Sequence, residues 1–319
     1  MKFRILLVGK NGQVGAELAI ALPTLGEVIA LDRQQLDLSK PDAIRRTIQA
    51  IRPALIVNAA AYTAVDQAEK EEAVAQALNV DAPALMAQEA KKIGAGIVHF
   101  STDYVFDGSK RSPYVENDPS NPVSVYGKTK LAGEQAIQEV GVPHLIFRTA
   151  WVYGTRGRNF LLTILRLASQ REELRIVHDQ FGAPTWCREI ARGTASVLGG
   201  LLADQGGAMS LPETGGVFHM TAAGVTTWHD FAGAILDEAS HAPSNLSWLS
   251  AATGGRNLIA KRITPITTAE YPTLARRPPY SVLSNSLLAQ RFGVQLTEWR
   301  TQLHLAVTDS HAQRSPAPP

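Results

Sequence analysis

The sequence predicts an α/β protein in which a doubly wound parallel sheet is followed by a smaller C-terminal domain. Three observations predict it. An apolar run at residues 3–8 leads into glycines at positions 9, 12 and 15, then into an amphipathic stretch to about Leu22. Strand-like and helix-like patterns alternate across residues 1–150. After Thr149 that alternation stops. The 319 residues suit one large or two modest domains.

The first element is strand, turn and helix. The glycines of Gly9-Lys10-Asn11-Gly12-Gln13-Val14-Gly15 suit a tight turn, close approach of backbone to a pyrophosphate, and close packing of helix on strand. The helix then offers the phosphates its free N–H groups and positive dipole end. This context makes the expected fold Rossmann-type. A second strand over residues 27–31 ends at Asp32, about where an acidic residue meets the adenosine ribose of a dinucleotide. Asp32 suits the 2′-hydroxyl of NAD. Arg33 suits the 2′-phosphate of NADP, or is a solvated loop charge, so both cofactors stay open.

Asp37-Leu38-Ser39 leads into a helix over residues 41–51, with Ser39 as N-cap. Residues 54–57 form a third strand that runs into Asn58-Ala59-Ala60-Ala61-Tyr62-Thr63. Small residues at a strand's C-terminal end let a flat ligand lie against the backbone, or let a helix pack closely. A long helix is expected over residues 72–92.

The fourth strand, residues 95–100, ends in Ser101-Thr102-Asp103-Tyr104. A loop at 107–122 holds Pro113, Pro119 and Pro122 and is long enough to shape or cover a pocket. Val125-Tyr126-Gly127-Lys128-Thr129-Lys130 then opens a helix to about Gln138. Tyr126 and Lys130 stand four apart and share a helix face. A free tyrosine has a pKa of about 10, and a nearby ammonium lowers it. The Thr102 hydroxyl can hold a carbonyl oxygen against the tyrosine. The trio suits carbonyl reduction: hydride arrives at carbon, Tyr126 protonates oxygen, and Lys130 tunes Tyr126. Alone, Tyr-x-x-x-Lys is ordinary helix surface; the glycine turn upstream gives it weight.

Residues 144–149 are a fifth strand, and Ala150-Trp151-Val152-Tyr153-Gly154 is an aromatic loop. Helices follow at 160–169 and up to Leu202, then a polar loop at 205–216 and a short strand at 217–220. Thr227 caps a helix over 228–239, and residues 287–292 are the last helix. Residues 311–319 are rich in Pro and Ser and read as a disordered tail.

Composition excludes several classes. Hydrophobic residues make up 45% and charged residues 19%, a globular profile. Thirty-one Lys and Arg against 29 Asp and Glu leave a net charge of +2, so no basic field argues for nucleic acid. No apolar run is long enough to span a bilayer, and the N-terminus enters a strand pattern without a signal-like segment. Cys187 is the only cysteine, a buried apolar residue in this reading, and no intramolecular disulfide can form. A cytoplasmic protein follows as the expectation. The histidines lack metal-ligand spacing, and His219 reads as a satisfied core residue.

With the glycine turn, the strand-end threonine and Tyr-x-x-x-Lys in place, the chain resembles the extended short-chain dehydrogenases/reductases. The likeness sharpens over five stretches: residues 9–15, Asn-Ala-Ala-Ala-Tyr-Thr-Ala-Val-Asp from Asn58, Ser-Thr-Asp-Tyr-Val-Phe-Asp-Gly from Ser101, Val-Tyr-Gly-Lys-Thr-Lys-Leu-Ala-Gly-Glu from Val125, and Asp-Gln-Phe-Gly-Ala-Pro-Thr from Asp179. Together, over about residues 3–300, they resemble the dTDP-4-dehydrorhamnose reductase family.

That resemblance implies reduction by NADPH or NADH of the 4-keto group of dTDP-6-deoxy-L-lyxo-4-hexulose, giving dTDP-L-rhamnose. It implies Tyr126 as proton donor and Lys130 as its partner on the nicotinamide ribose. Thr102, Asp103 and Trp151 would contact the sugar, with Asn159 and Arg277 near the phosphates. Gly9, Gly12, Gln13, Val14 and Gly15 match the pyrophosphate turn. Asp32, Asp37 and Leu38 match the adenosine side, and Ala61, Tyr62, Thr63 and Phe100 the cofactor channel. The implied division is a dinucleotide-binding domain of residues 1–152 and about 173–215, and a substrate domain of about 153–172 and 216–310. The partner is a dTDP-sugar, and the chain is a monomer or homodimer.

Some members of the family join subunits through Mg²⁺ held by glutamates. Glu17 fits the first position, but Arg188 occupies the second, with Glu189 beside it, so no metal site is expected. Two alternatives remain. One is a nucleotide-sugar epimerase of the same superfamily; the other is a non-catalytic subunit resembling the methionine adenosyltransferase β subunit, against which the retention of Thr102, Tyr126 and Lys130 argues. A dehydratase would place Asp-Glu after the strand-end threonine, where this chain has Asp103-Tyr104.

Overall fold

Runs of Ile, Leu and Val that are apolar on both faces form the strands of a buried parallel sheet. Five come from the first half: β1 (Arg4–Val8), β2 (Glu27–Leu31), β3 (Leu55–Asn58), β4 (Gly96–Thr102) and β5 (His144–Thr149). The computed structural model describes residues 3–204, 215–243 and 246–308. In it a sixth strand, β6 (Gly216–His219), completes the order β6-β5-β4-β3-β1-β2. Every ladder is parallel. The order reverses at β1, which lies between β2 and β3. A crevice outside the strands' C-terminal ends is where such sheets bind ligands.

Alternate residues of each strand serve opposite faces. Ile5 and Leu7 pack with Leu18 of α1 (Gln13–Ala21) and Leu198 of a later helix, Cys187–Asp204. Leu6 and Val8 pack with Ile44 of α2 (Pro41–Ile51), Met86 of α3 (Ala82–Ile93) and Ile137 of α4 (Val125–Val140). A separate core gathers Tyr153, Leu161, Trp186, Phe231 and Trp299. It joins α5 (Phe160–Ala168), α6 (Cys187–Asp204), α7 (Trp228–His241) and a C-terminal helix, Trp299–Thr308. Beside it, Glu173–Val177 pairs in parallel with Arg262–Ile266.

The structure departs from expectation in several places. Gly216–His219, assigned from sequence to the second domain, runs parallel to β5 as an edge of the central sheet. Glu173–Val177, assigned to the first, pairs outside that sheet. Ser39 does not cap α2: Lys40 holds the N-cap position without a side-chain bond, and the Ser39 hydroxyl donates to Asp37 Oδ1 at 2.8 Å. The single helix expected over 72–92 is interrupted by a π turn, Ala77–Asp81. Loop 107–122 does not cover the main cleft. It stacks Tyr114 on Phe106, with centroids 4.2 Å apart, and bridges to Leu283. Trp299–Thr308 follows the helix expected to be last. Most of the polar loop and the whole tail lie outside the described residues.

One contact fixes α4 to the sheet. Arg148 of β5 donates through Nε to Glu134 Oε1 at 3.0 Å and through Nη2 to Oε2 at 2.7 Å. Both side chains are almost wholly buried, at 6% and 1% exposure. Removing one partner leaves an uncompensated buried charge, which costs about 3–5 kcal/mol. Glu134→Ala should therefore lower unfolding stability by about that amount in a denaturant titration. A loss within experimental error would show that the pair does not anchor the helix.

Candidate active site

A cleft of about 1140 Å³ opens at the C-terminal ends of the strands. All the catalytic, cofactor-side and substrate-side residues expected from the sequence line it except Gly15. Gly15 lies beneath the turn, where a Cβ would come within 2.1 Å of the Gly9 carbonyl oxygen. The helix therefore packs on the turn as a backbone surface. Gly12 is the N-cap of α1 and no side chain caps it. The first-turn N–H groups of α1 thus have no side-chain competitor for a phosphate.

Asp32 closes one end of the cleft. Its Oδ1 accepts from the backbone N–H groups of Gln34 and Gln35 at 3.0 and 3.1 Å. The Gln35 amide holds its carboxyl below the usual range, and Lys10 Nζ stands 3.3 Å from Oδ2. Asp37 and Leu38 lie on the same wall. The channel along Ala61, Tyr62 and Thr63 is pinned by Asn79 of the π turn. Asn79 Oδ1 accepts from the Tyr62 amide at 2.8 Å, and its Nδ2 donates to the Tyr62 carbonyl and to Thr129 Oγ1, each at 3.1 Å. The π turn thus ties the loop at Tyr62 to α4. π turns inside helices are frequent at functional sites.

At the floor stand Thr102, Asp103, Tyr126 and Lys130, beside Phe100. Ser124 caps α4 by accepting from the Gly127 amide at 3.2 Å, and Glu69 accepts from the Val125 amide at 2.8 Å. Those caps fix the first turn, which carries Tyr126. Burial pushes the Tyr126 hydroxyl up to about 12, partly offset by a hydrogen bond with Thr102. This corrects the sequence-based expectation that Lys130 lowers it. Desolvation outweighs the lysine, which is engaged elsewhere. Lys130 Nζ donates to the Phe100 carbonyl at 2.7 Å and lies 3.0 Å from His99 Nε2. Burial brings the Lys130 amine down to about 8. Burial also raises the Asp103 carboxyl to about 7, and Thr102 Oγ1 donates to it at 3.0 Å. At neutral pH the floor therefore holds a protonated phenol beside a carboxyl that is partly protonated.

The remaining residues sit on the far wall. Arg277 lines the cleft, but Asp66 accepts from its Nη2 at 2.8 Å and balances its charge. Asn159 caps α5 by accepting from the Leu162 amide, and donates to Gln13 Oε1 at 2.7 Å. It thus ties the second core to the glycine turn. Trp151 has φ +46°, a strained conformation for a bulky residue. Its ring stacks on Trp228, with centroids 3.5 Å apart and planes 5° apart.

Sequence reasoning missed Asp66, Tyr104 and Trp228, which also line the cleft. Tyr104 packs edge-on against Tyr126, with centroids 5.8 Å apart. Only its place in Ser-Thr-Asp-Tyr could have signalled it; Trp228 carried no signal beyond being aromatic.

Outside the cleft, Glu17 Oε2 accepts from Arg188 Nε at 2.8 Å, so the acidic position considered for a metal faces a guanidinium. Among the described residues no cluster of His, Cys, Asp and Glu could hold a metal ion. His219 is fully buried, but neither ring nitrogen has a hydrogen-bond partner among the described residues. It is therefore not the satisfied core histidine expected. Burial holds the ring neutral, with its pKa down at about 3. No helix among the described residues is long and apolar enough to cross a membrane.

The chain is similar to known proteins along nearly its whole length. A family model described as the RmlD substrate binding domain matches residues 2–312. A dTDP-4-dehydrorhamnose reductase of Burkholderia thailandensis is 49% identical over 97% of this chain and 100% of that protein. One from Escherichia coli K12 is 43% identical over 93% of this chain and 94% of that protein. Among solved structures, the dTDP-4-dehydrorhamnose reductase of Clostridium acetobutylicum superposes with a TM-score of 0.82 at 37% identity, covering 95% of this chain and 98% of that one. The Bacillus anthracis reductase, solved in complex with NADP, gives 0.81 at 31%, covering 96% and 99%.

A Cβ on Gly182 would come within 2.3 Å of the Trp151 ring. Gly182→Ala should therefore unstack Trp151 from Trp228. Near-ultraviolet circular dichroism reads this, because indoles held in a fixed asymmetric environment give a signal that released rings lose. That tryptophan signal should weaken in the variant; an unchanged signal would refute the packing argument.

Proposed function

Because the chain belongs to the RmlD substrate binding domain family, we propose that it is an NAD(P)H-dependent enzyme that reduces the 4-keto group of dTDP-6-deoxy-L-lyxo-4-hexulose to give dTDP-L-rhamnose. The observation that carries this reading is the meeting of Thr102, Tyr126 and Lys130 on the floor of a cleft whose other end is an uncapped helix N-terminus behind a glycine turn. The turn, Asp32 and the Ala61–Thr63 channel fit a dinucleotide in chemistry.

A bound reduced nicotinamide supplies the hydride for carbon 4 of the sugar. The chain's own residues do the rest. Thr102 turns its one hydroxyl proton from Asp103 to the keto oxygen and orients it. Tyr126, protonated throughout the neutral range, delivers its proton to that oxygen as charge develops. Asp103, beside Thr102, holds the substrate. Trp151, backed by Trp228, offers an aromatic wall to the sugar. Arg277 meets the diphosphate with the remaining donors of its fork. The single cysteine fits a cytoplasmic enzyme.

The deciding experiment follows nicotinamide absorbance with purified protein, NADPH or NADH, and the 4-keto sugar nucleotide. Sugar-dependent loss of absorbance supports the reductase and ranks the cofactors. No loss, with cofactor still bound, would turn the reading toward an epimerase or a non-catalytic subunit. Tyr126→Phe should cut kcat by about 10²–10⁴-fold while leaving cofactor affinity unchanged; an undiminished rate would remove Tyr126 as the proton donor. Asp32→Ala should weaken NADH more than NADPH in a binding titration. Equal losses would dissociate Asp32 from the ribose.

A further inference from the structure

Four cationic side chains line the cleft, and three of them are already engaged. Arg277 donates to Asp66 Oδ2 at 2.8 Å, and Lys130 donates to the Phe100 carbonyl at 2.7 Å. The Ser39 hydroxyl holds the Asp37 carboxyl below its usual range, and the Arg33 charge adds to that effect. The fourth is Arg158. It is exposed, and among the described residues it has no hydrogen bond, ion pair or ring contact.

The backbone fixes where that guanidinium starts. Residues 154–159 lead from the first core into α5, and the Asn159 side chain gathers them onto α1. Asn159 Nδ2 lies 2.7 Å from Gln13 Oε1, 2.8 Å from the Gly154 carbonyl and 3.0 Å from the Arg156 carbonyl. Gly157 turns the chain at φ +76°, and a Cβ there would lie 3.4 Å from Gln13 Cγ. Both neighbours of Arg158 are thus seated on the first residue of α1. The Arg158 side chain lines the cleft together with Gly12 and Gln13. Arg156 does not share this position, since its Nη2 lies 3.5 Å from Glu17 Oε1, outside the cleft.

The protein's own charges do not account for this placement. The start of a helix carries about half a positive charge, so an unpaired guanidinium beside it meets repulsion and no carboxylate. An anion between the two satisfies both, taking the helix N–H groups on one side and the guanidinium fork on the other. We propose that Arg158 is a cofactor-binding residue that closes over the pyrophosphate of the dinucleotide and holds it against the N-terminus of α1. The proposal rests on the reading of the cleft as a dinucleotide site. Arg277 cannot take this part, because Asp66 holds it on the far wall. Arg158 should serve NADH and NADPH alike, since the 2′-phosphate that separates them belongs at the Asp32 and Arg33 end. The bound cofactor then ties the two cores together, gripped by α1 from one and by the segment entering α5 from the other.

The test is calorimetric titration of the full-length protein with NADH, NADPH and dTDP in turn. Arg158→Gln should weaken NADH and NADPH by the same factor, about tenfold, and leave dTDP binding unchanged. Arg158→Lys keeps the charge but loses the fork, and should recover only part of the loss. Added salt should weaken NADH binding more steeply in the parent than in Arg158→Gln, because the variant has one charge fewer to screen. The melting temperature of the unliganded variant should match the parent's, since the side chain makes no hydrogen bond or ion pair to lose. Unchanged affinity for both cofactors in Arg158→Gln overturns the proposal. A loss for NADPH alone would put the guanidinium on the 2′-phosphate, and a loss for dTDP alone would put it on the sugar nucleotide; either overturns it too. A parent that binds neither NADH nor NADPH would overturn the dinucleotide reading of the cleft, and this proposal with it. Parent binding that the substitution leaves intact overturns this proposal alone.

Discussion

The seating of α4 on the sheet is the constraint on which the rest of the site depends. That helix carries Tyr126 and Lys130, and three separate devices hold it. Ser124 and Glu69 bind its first-turn amides. Asn79 reaches it from the π turn through Thr129. The Arg148–Glu134 fork anchors its middle to β5. At Gly133 the helix meets the Asn79 carbonyl so closely that a Cβ would lie 2.0 Å from it. Each device comes from a different element, so no single loop movement can shift the tyrosine relative to Thr102. For a proton transfer, where reach is a matter of a few tenths of an ångström, such redundancy has an evident use.

Burial, more than neighbouring charge, sets the acid–base character of the floor. Desolvation is the leading cause for Tyr126, Lys130, Asp103 and His99 alike. Each group is driven toward its uncharged form. The Asp32 end is governed differently: backbone amides and Lys10 stabilise the charged form of Asp32, which is only half-buried. One cleft therefore spans a wet end that keeps its charge and a dry end that sheds it. A long ligand with a charged diphosphate and a neutral ring system would match that gradient.

Much of this was legible in the sequence because it is local. The glycine spacing, the strand ends and the Tyr126–Lys130 interval are each written within a dozen residues, and the structure brings those residues to one cleft. What was not legible is non-local. Nothing near Arg277 announces Asp66, 211 positions earlier in the chain. Nothing near Trp151 announces Trp228 or the bare backbone of Gly182. The acidity of Tyr126 was misjudged for the same reason, since sequence shows the lysine four residues on but not how much water reaches the pair. The edge strand Gly216–His219 was recognised as a strand but given to the wrong neighbour, because pairing is decided by the β5 surface rather than by the strand's own residues.

That edge strand has a consequence for how the chain matures. As synthesis proceeds from the N-terminus, β5 emerges early, with one side of its ladder open. The strand that closes it is made only after the intervening segments, among them α5 and α6. Until then an apolar strand edge stays available to other chains, a known route to aggregation. The half that carries the central sheet is thus not a self-sufficient unit that the ribosome can finish first. Its last strand arrives from beyond its apparent boundary, and an excised fragment ending near residue 150 would carry that unpaired edge permanently.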